Sequence, residues 1–299
     1  MNKPLFLLWT DGAEAYRKAI TAAGLDQRIR LEELPRNATP STAQLQEAEA
    51  MLTWGPPAGT LAQMPKLRWA QALTAGVEHW LARTDLSPSL TLTCARGTHR
   101  VQMPENILGA LFHITKPYAA SGADNAASTW TRRVSSTLAG QTLGILGLGA
   151  IGQELARKAA ALEMRVIGTR RATGALAHVE RVYAPEETDE VLAQSDFVVL
   201  LLPATPETEN IINATRLARM KKTAWLLNFG RGALIDDAAL VAAAKSGTIA
   251  GAILDVFRQE PLPKDDPFRG TENILVLPHI GGLHPARDSM VAALLVENL

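Results

Sequence analysis

Thr142-Leu143-Gly144-Ile145-Leu146-Gly147-Leu148-Gly149-Ala150-Ile151-Gly152 is an apolar run that breaks into a glycine-rich turn, and Gln153-Glu154-Leu155-Ala156-Arg157-Lys158 continues it as a helix. A strand feeding G-x-G-x-x-G into a helix is the pattern of a dinucleotide-binding βαβ unit. Gly147 permits the tight turn. Gly149 lets the backbone approach a pyrophosphate, and Gly152 lets the helix pack close to the strand. The first helical N–H groups, at Ala150, Ile151 and Gly152, then face the phosphates at the positive end of the helix dipole.

The next strand bears on the choice of nucleotide. About twenty residues after such a turn, an NAD-binding unit carries Asp or Glu for the ribose 2′-hydroxyl. Here Arg165-Val166-Ile167-Gly168-Thr169 runs into Arg170-Arg171, and no carboxylate stands there. Two guanidiniums suit the 2′-phosphate of NADP, and Thr169 offers a hydroxyl donor. The plainer reading is a solvated basic turn. The expectation is NADPH in preference to NADH.

Thirty Lys and Arg balance thirty Asp and Glu in 299 residues, so no global charge directs the chain to nucleic acid or to a membrane surface. A single cysteine, Cys94, excludes an intrachain disulfide and fits a reducing compartment. It lies in Leu90–Ala95, which alternates like a strand, and reads as buried filler. The apolar start, Met1 to Trp9, breaks at Thr10-Asp11-Gly12, too early for a signal segment or a membrane span. The expectation is a cytoplasmic protein.

Alternation of strand and helix implies parallel, doubly wound sheets. Strands are expected at Leu5–Trp9, Ala50–Trp54 and Leu67–Ala72, with a helix at Ala13–Ala23. Later strands are expected at Thr142–Leu146, Arg165–Gly168, Phe197–Leu202, Ala224–Leu227, Gly251–Asp255 and Ile274–Leu277. Helices are expected at Met103–His113, Ile151–Leu162, Asp237–Lys245 and Pro285–Leu299. Residues 1–100 with 281–299 read as one discontinuous domain, and 101–280 as the dinucleotide-binding domain. The chain ends within an apolar pattern, Met290 to Val296, as a helix cut short would.

Ligands in open α/β sheets gather at the carboxyl ends of strands. Three late segments stand there. Asn228-Phe229-Gly230-Arg231-Gly232 sets an arginine between glycines, where its fork can hold a carboxylate and polarise a carbonyl. Asp255-Val256-Phe257-Arg258-Gln259-Glu260-Pro261-Leu262 carries Glu260, and Pro278-His279-Ile280-Gly281 places His279 directly after a strand. Singly, each has a structural explanation as a loop charge. In this order, together with the glycine turn and Ala75-Gly76-Val77-Glu78, they resemble the D-isomer-specific 2-hydroxyacid dehydrogenases over essentially the whole chain. Arg170-Arg171, Trp54, Trp130 and Pro261-Leu262-Pro263 look most like the glyoxylate/hydroxypyruvate reductase branch.

The resemblance implies two Rossmann-like α/β domains with an active-site cleft between them. It implies Arg231 as the substrate-binding arginine, His279 as general acid and Glu260 as its carboxylate partner. Gly147, Gly149, Ala150, Ile151, Gly152, Thr169, Arg170, Arg171, Leu202, Pro203, Asn228, Gly230, Asp255, His279 and Gly281 would contact the cofactor. Trp54, Leu73, Ala75, Gly76, Val77 and Arg231 would contact the substrate, with the Gly76 and Val77 N–H groups holding its carboxylate and Trp54 and Leu73 walling the pocket. The implied reaction is NADPH-dependent reduction of small 2-oxo acids such as glyoxylate and hydroxypyruvate to D-2-hydroxy acids. The alternatives are a reductase for a larger 2-oxo acid and a dinucleotide-sensing binding protein like the C-terminal-binding corepressors. The family's two-fold dimers point to a homodimer through the segment at Trp130-Thr131-Arg132-Arg133. His79, His99, His113, His178 and His284 lack the strand-end placement of His279. No spacing of ligating residues suggests a metal, and none is expected.

Overall fold

The computed structural model describes residues 3–299; Met1 and Asn2, included in the first expected domain, lie outside the described residues. The chain divides into two compact units, one ending at Thr98 and resuming over His284–Leu299, the other spanning His99–Leu283. Residues 99–100 and 281–283 thus group with the larger unit, not with the smaller one to which the sequence reading gave them.

The smaller unit runs β1 (Leu5–Trp9), α1 (Ala13–Ala22), β2 (Arg30–Leu34), α2 (Thr42–Glu47), β3 (Ala48–Thr53), β4 (Trp69–Ala72), α3 (Glu78–Leu81) and β5 (Thr91–Thr93), and is completed by the C-terminal helix Arg287–Asn298. Its strands pair in parallel in the order β2-β1-β3-β4-β5. The strand order reverses between β1 and β3, where ligands characteristically bind open α/β sheets. β1 is buried throughout, as a strand covered on both faces must be. Tyr16 and Ile20 of α1 and Val291, Ala292 and Leu295 of the C-terminal helix join Phe6, Leu8 and Leu52 in one core.

The larger unit runs α4 (Gln102–Thr115), α5 (Tyr118–Ala126), β6 (Thr142–Leu146), α6 (Ala150–Ala161), β7 (Arg165–Thr169), β8 (Arg181–Tyr183), α7 (Thr188–Gln194), β9 (Phe197–Leu200), α8 (Ala214–Leu217), β10 (Trp225–Asn228), α9 (Asp237–Ser246), β11 (Gly251–Leu254) and β12 (Ile274–Val276). Its seven strands, all parallel, follow the order β12-β11-β10-β9-β6-β7-β8. The reversal lies between β6 and β9, so the glycine turn stands at the switch point. α9 shows how local sequence sets an element's bounds: the Asp236 side chain accepts from the Ala239 N–H at its start, and Gly247, at φ 70°, ends it. β9 ends at Leu200, two residues before the expected limit, although the Leu201 N–H still donates to Leu146 O at 2.9 Å.

A β-carbon at Gly152 would fall inside the contact shell of the Gly147 carbonyl oxygen, whereas one at Gly149 would meet open space. Overpacking of this kind costs about 1–3 kcal/mol, more than the gain of about 1 kcal/mol that alanine brings to a helix. Gly152→Ala should therefore lower the urea midpoint, while Gly149→Ala should leave it in place. Equal midpoints for both variants would refute close helix–strand packing at Gly152.

Candidate active site

At the end of β6, Gly147 takes φ 112°, a conformation that L side chains rarely adopt. A β-carbon there would stand 2.9 Å from the Leu201 carbonyl group, in the segment that leads from β9 to Leu202 and Pro203. No side chain caps the start of α6 at Gly149, so its first N–H groups are presented by backbone alone. The uncapped turn and the open space over Gly149 fit the pyrophosphate of a dinucleotide. β7 ends beside this turn, with the Leu148 N–H donating to Thr169 O at 3.0 Å. Arg170 and Arg171 follow it, both exposed, while Thr169 itself is buried.

Asn228, at the end of β10, is fully buried and closes the next turn from both sides. Its Nδ2 donates to Arg231 O at 2.9 Å, and its Oδ1 accepts from the Gly230 N–H at 3.1 Å. Arg231 Nη1 donates to Gly230 O at 2.7 Å. Gly232 has no room for a β-carbon against the backbone of Phe257 and Arg258, so the Arg231 turn and the Glu260 loop lie against each other. Arg258 reinforces that contact, which sequence reading passed over. Its Nη2 donates to Ala233 O at 3.2 Å, to Ile235 O at 2.8 Å and to Asn210 Oδ1.

His279 Nδ1 and Glu260 Oε2 are 2.6 Å apart, and Glu260 Oε1 accepts from the Phe257 N–H at 2.9 Å. His279 has φ 53°, uncommon for a residue with a side chain. The backbone after it is clasped by Asp255, which is 1% exposed: Oδ1 accepts from the Ile280 N–H at 2.7 Å and Oδ2 from the Gly281 N–H at 2.9 Å. From the other side, Asn106 of α4 donates to Gly281 O at 2.9 Å and to Ile280 O at 3.2 Å. A β-carbon at Gly281 would lie 2.6 Å from Asp255 Oδ2, so only glycine fits. Asn106 is a further residue that sequence reading missed; one amide side chain on a helix carries no distinguishing signal.

In the smaller unit, Trp54 and Gly55 follow β3, and Leu73 to Val77 follow β4. The expectation that the Leu73 side chain walls a pocket is corrected: it is 0% exposed and packs in the core with Phe6, Leu8 and Tyr16. The inward alternation of β4 runs one residue past the strand, and the Leu73 N–H still donates to Thr53 O. Thr74 Oγ1 donates to Gly76 O at 2.6 Å and closes the Thr74–Val77 loop. Among the described residues, the Gly76 and Val77 N–H groups donate to nothing within this unit. No group of three or more His, Cys, Asp or Glu among the described residues is disposed to hold a metal ion, and no described helix is long and apolar enough to cross a membrane.

Burial pushes the Asp255 carboxyl above the usual aspartate range, against the Gly281 and Ile280 amides and His279, which pull it down. A carboxyl raised in the folded state takes its proton more readily there than in the unfolded chain. Its contribution to stability therefore falls as pH rises from the unfolded value through the folded one. Asp255→Asn abolishes this dependence and leaves one amide without an acceptor, a loss of about 1–3 kcal/mol. Urea melts across the acid range should show the wild-type advantage narrowing as pH rises. A constant difference would contradict the buried-carboxylate account.

Comparison with known proteins agrees with this geometry. Residues 108–281 match the family model described as D-isomer specific 2-hydroxyacid dehydrogenase, NAD binding domain. A glyoxylate/hydroxypyruvate reductase B of Cronobacter sakazakii is 37% identical over 251 residues, covering 81% of this chain and 76% of the relative. A D-isomer specific 2-hydroxyacid dehydrogenase of Xanthobacter autotrophicus Py2, solved with NADPH and MES, superposes with a TM-score of 0.86 at 30% identity, over 99% of this chain and 93% of that one. An NADPH-dependent glyoxylate/hydroxypyruvate reductase of Sinorhizobium meliloti, solved with NADP and sulfate, gives 0.81 at 28% identity, over 99% and 93%. A buried carboxylate that aims a strand-end histidine at a glutamate, beside a glycine-flanked arginine and a dinucleotide turn, thus sits in a chain that belongs to the D-isomer specific 2-hydroxyacid dehydrogenases, a family of nicotinamide-dependent oxidoreductases.

Proposed function

We propose that this protein reduces small 2-oxo acids, glyoxylate and hydroxypyruvate among them, to D-2-hydroxy acids with NADPH. The observation that carries the reading is the 2.6 Å contact between His279 Nδ1 and Glu260 Oε2, in the unit that also holds the Arg231 turn. With Nδ1 engaged by the carboxylate, Nε2 is the nitrogen left to give a proton to the ketone oxygen. Glu260 fixes the orientation of the ring through that contact. Arg231 binds the substrate carboxylate and polarises its carbonyl. In the smaller unit, the Gly76 and Val77 N–H groups receive the carboxylate, and Trp54 limits the size of the acid. The nicotinamide supplies the hydride; the chain's own groups orient the oxoacid and deliver the proton.

The preference for NADPH rests on Arg170 and Arg171, both exposed directly after β7, where a carboxylate would favour NADH. The S. meliloti relative is named NADPH-dependent, and the X. autotrophicus structure holds NADPH, which supports the same choice. We further propose a homodimer through the segment around Trp130. Trp130, Val134 and Tyr118 are 93%, 97% and 76% exposed, and such apolar exposure favours a protein contact. The single cysteine fits a cytoplasmic setting.

A panel of 2-oxo acids assayed with NADPH and NADH tests the reading directly. His279→Ala should lower kcat by about 100- to 10,000-fold. Arg231→Ala should harm both kcat and the substrate KM, by about 3–4 kcal/mol in kcat/KM. Near-normal turnover in the His279 variant would reject the proton-donor role. Replacing Arg170 and Arg171 together by serine should raise the KM for NADPH about tenfold or more and leave that for NADH nearly unchanged. A clear NADH preference in the unaltered protein would reject the cofactor assignment.

A further inference from the structure

Two charged residues are buried as whole residues among the described ones, Asp255 and Arg287. Asp255 belongs to the site described above; Arg287 has no part in it. A guanidinium does not lose its proton, so it is retained in a protein interior only where other groups meet its N–H edges. Arg287 Nη1 lies 2.6 Å from Asp288 Oδ1, and Nη2 donates to the Leu73 carbonyl. The guanidinium lies 4.3 Å from the centroid of the Trp54 ring, and Arg36 lies over the same indole at 5.0 Å. Asp288 Oδ1 also accepts from Tyr16 Oη at 2.9 Å, which anchors the pair to α1.

One cation therefore joins two loops that follow neighbouring strands. Trp54 stands directly after β3, and Leu73 leads from β4 into Thr74–Val77. Anchoring the C-terminal helix does not require a charge here, because Val291, Ala292 and Leu295 already bury its apolar face. An ion pair whose carboxylate is nearly half exposed, as that of Asp288 is, adds little stability. What the guanidinium adds is direction: a cation held over an indole ring and a donor aimed at one carbonyl.

We propose that Arg287 is a positioning residue for substrate size, holding the Trp54 indole and the Leu73 carbonyl so that the Trp54-Gly55 and Thr74–Val77 loops keep the spacing that a small 2-oxo acid needs. This rests on the reading of those loops as substrate-binding.

The test uses the full chain with Arg287→Leu and Arg287→Lys, assayed with NADPH against glyoxylate and the bulkier phenylpyruvate. The leucine variant should raise the glyoxylate KM about tenfold, keep kcat within about threefold, and shift the preference toward phenylpyruvate. The KM for NADPH should not move. The lysine variant should fall between, because it keeps the charge and loses the planar fork. An unchanged glyoxylate KM in a folded leucine variant would overturn the proposal, as would a uniform fall in kcat with no change in substrate preference. Should the leucine variant not fold, a lysine variant with wild-type KM values for both acids overturns it, and one with a raised glyoxylate KM supports it. Tryptophan emission provides a readout independent of turnover. Arg287→Leu should change the spectrum of the wild type and leave that of a Trp54→Phe background unaltered. If the unaltered protein reduces no 2-oxo acid, the assigned reaction fails, and emission alone judges whether Arg287 fixes the indole; no spectral change would overturn the positioning role.

Discussion

The Asp255 carboxylate governs the geometry of the candidate active site. It sits just past β11 and takes up two consecutive N–H groups in the segment that follows β12. The left-handed conformation at His279 costs on the order of 1 kcal/mol or more for a residue with a side chain. It persists because the backbone on its far side is held by a buried anion and by Asn106. The imidazole direction is thus decided by a neighbouring strand, and Glu260, whose other oxygen is occupied by the Phe257 N–H, meets it at hydrogen-bond distance.

The two units use a buried charge in comparable ways. In the larger one an anion gathers backbone N–H groups; in the smaller one a cation holds a backbone carbonyl and an indole. Burying an ion without partners is prohibitive, so each constrains its neighbours tightly. Glycines make the complementary contribution. At Gly147, Gly232 and Gly281 a β-carbon would collide with neighbouring atoms, so three loops come as close as backbone allows.

Much of this was legible along the chain, for a physical reason. Central strands of a parallel sheet are covered on both faces and read as short apolar runs, as β1, β6 and β9 do. The overlooked strands, β2 and β8, lie at sheet edges. β2 reads Arg-Leu-Glu-Glu-Leu because solvent meets one side of it, and charge there blunts a free edge. α2 and α5 were equally silent, since neither buries a residue and so neither needs an apolar stripe. Arg231, Glu260 and His279 were singled out by strand-end placement and order, and their expected roles came from the family resemblance. Leu73 was misjudged because a loop position says nothing of which way a side chain turns.

The sequence by itself determined the fold class, the switch-point turn and the family, because apolar periodicity and glycine spacing are local properties of the chain. It also singled out the histidine, the glutamate and the arginine. Tertiary structure alone decided which groups hold them, Asp255 beneath the histidine, Asn106 behind it and Arg258 between two loops, and in the smaller unit it alone set Arg287 against Trp54. These partners lie far apart in sequence and have ordinary residue identities. Only burial, which makes an unpaired charge or amide costly, turns such residues into fixed points, and burial is a property of the folded chain.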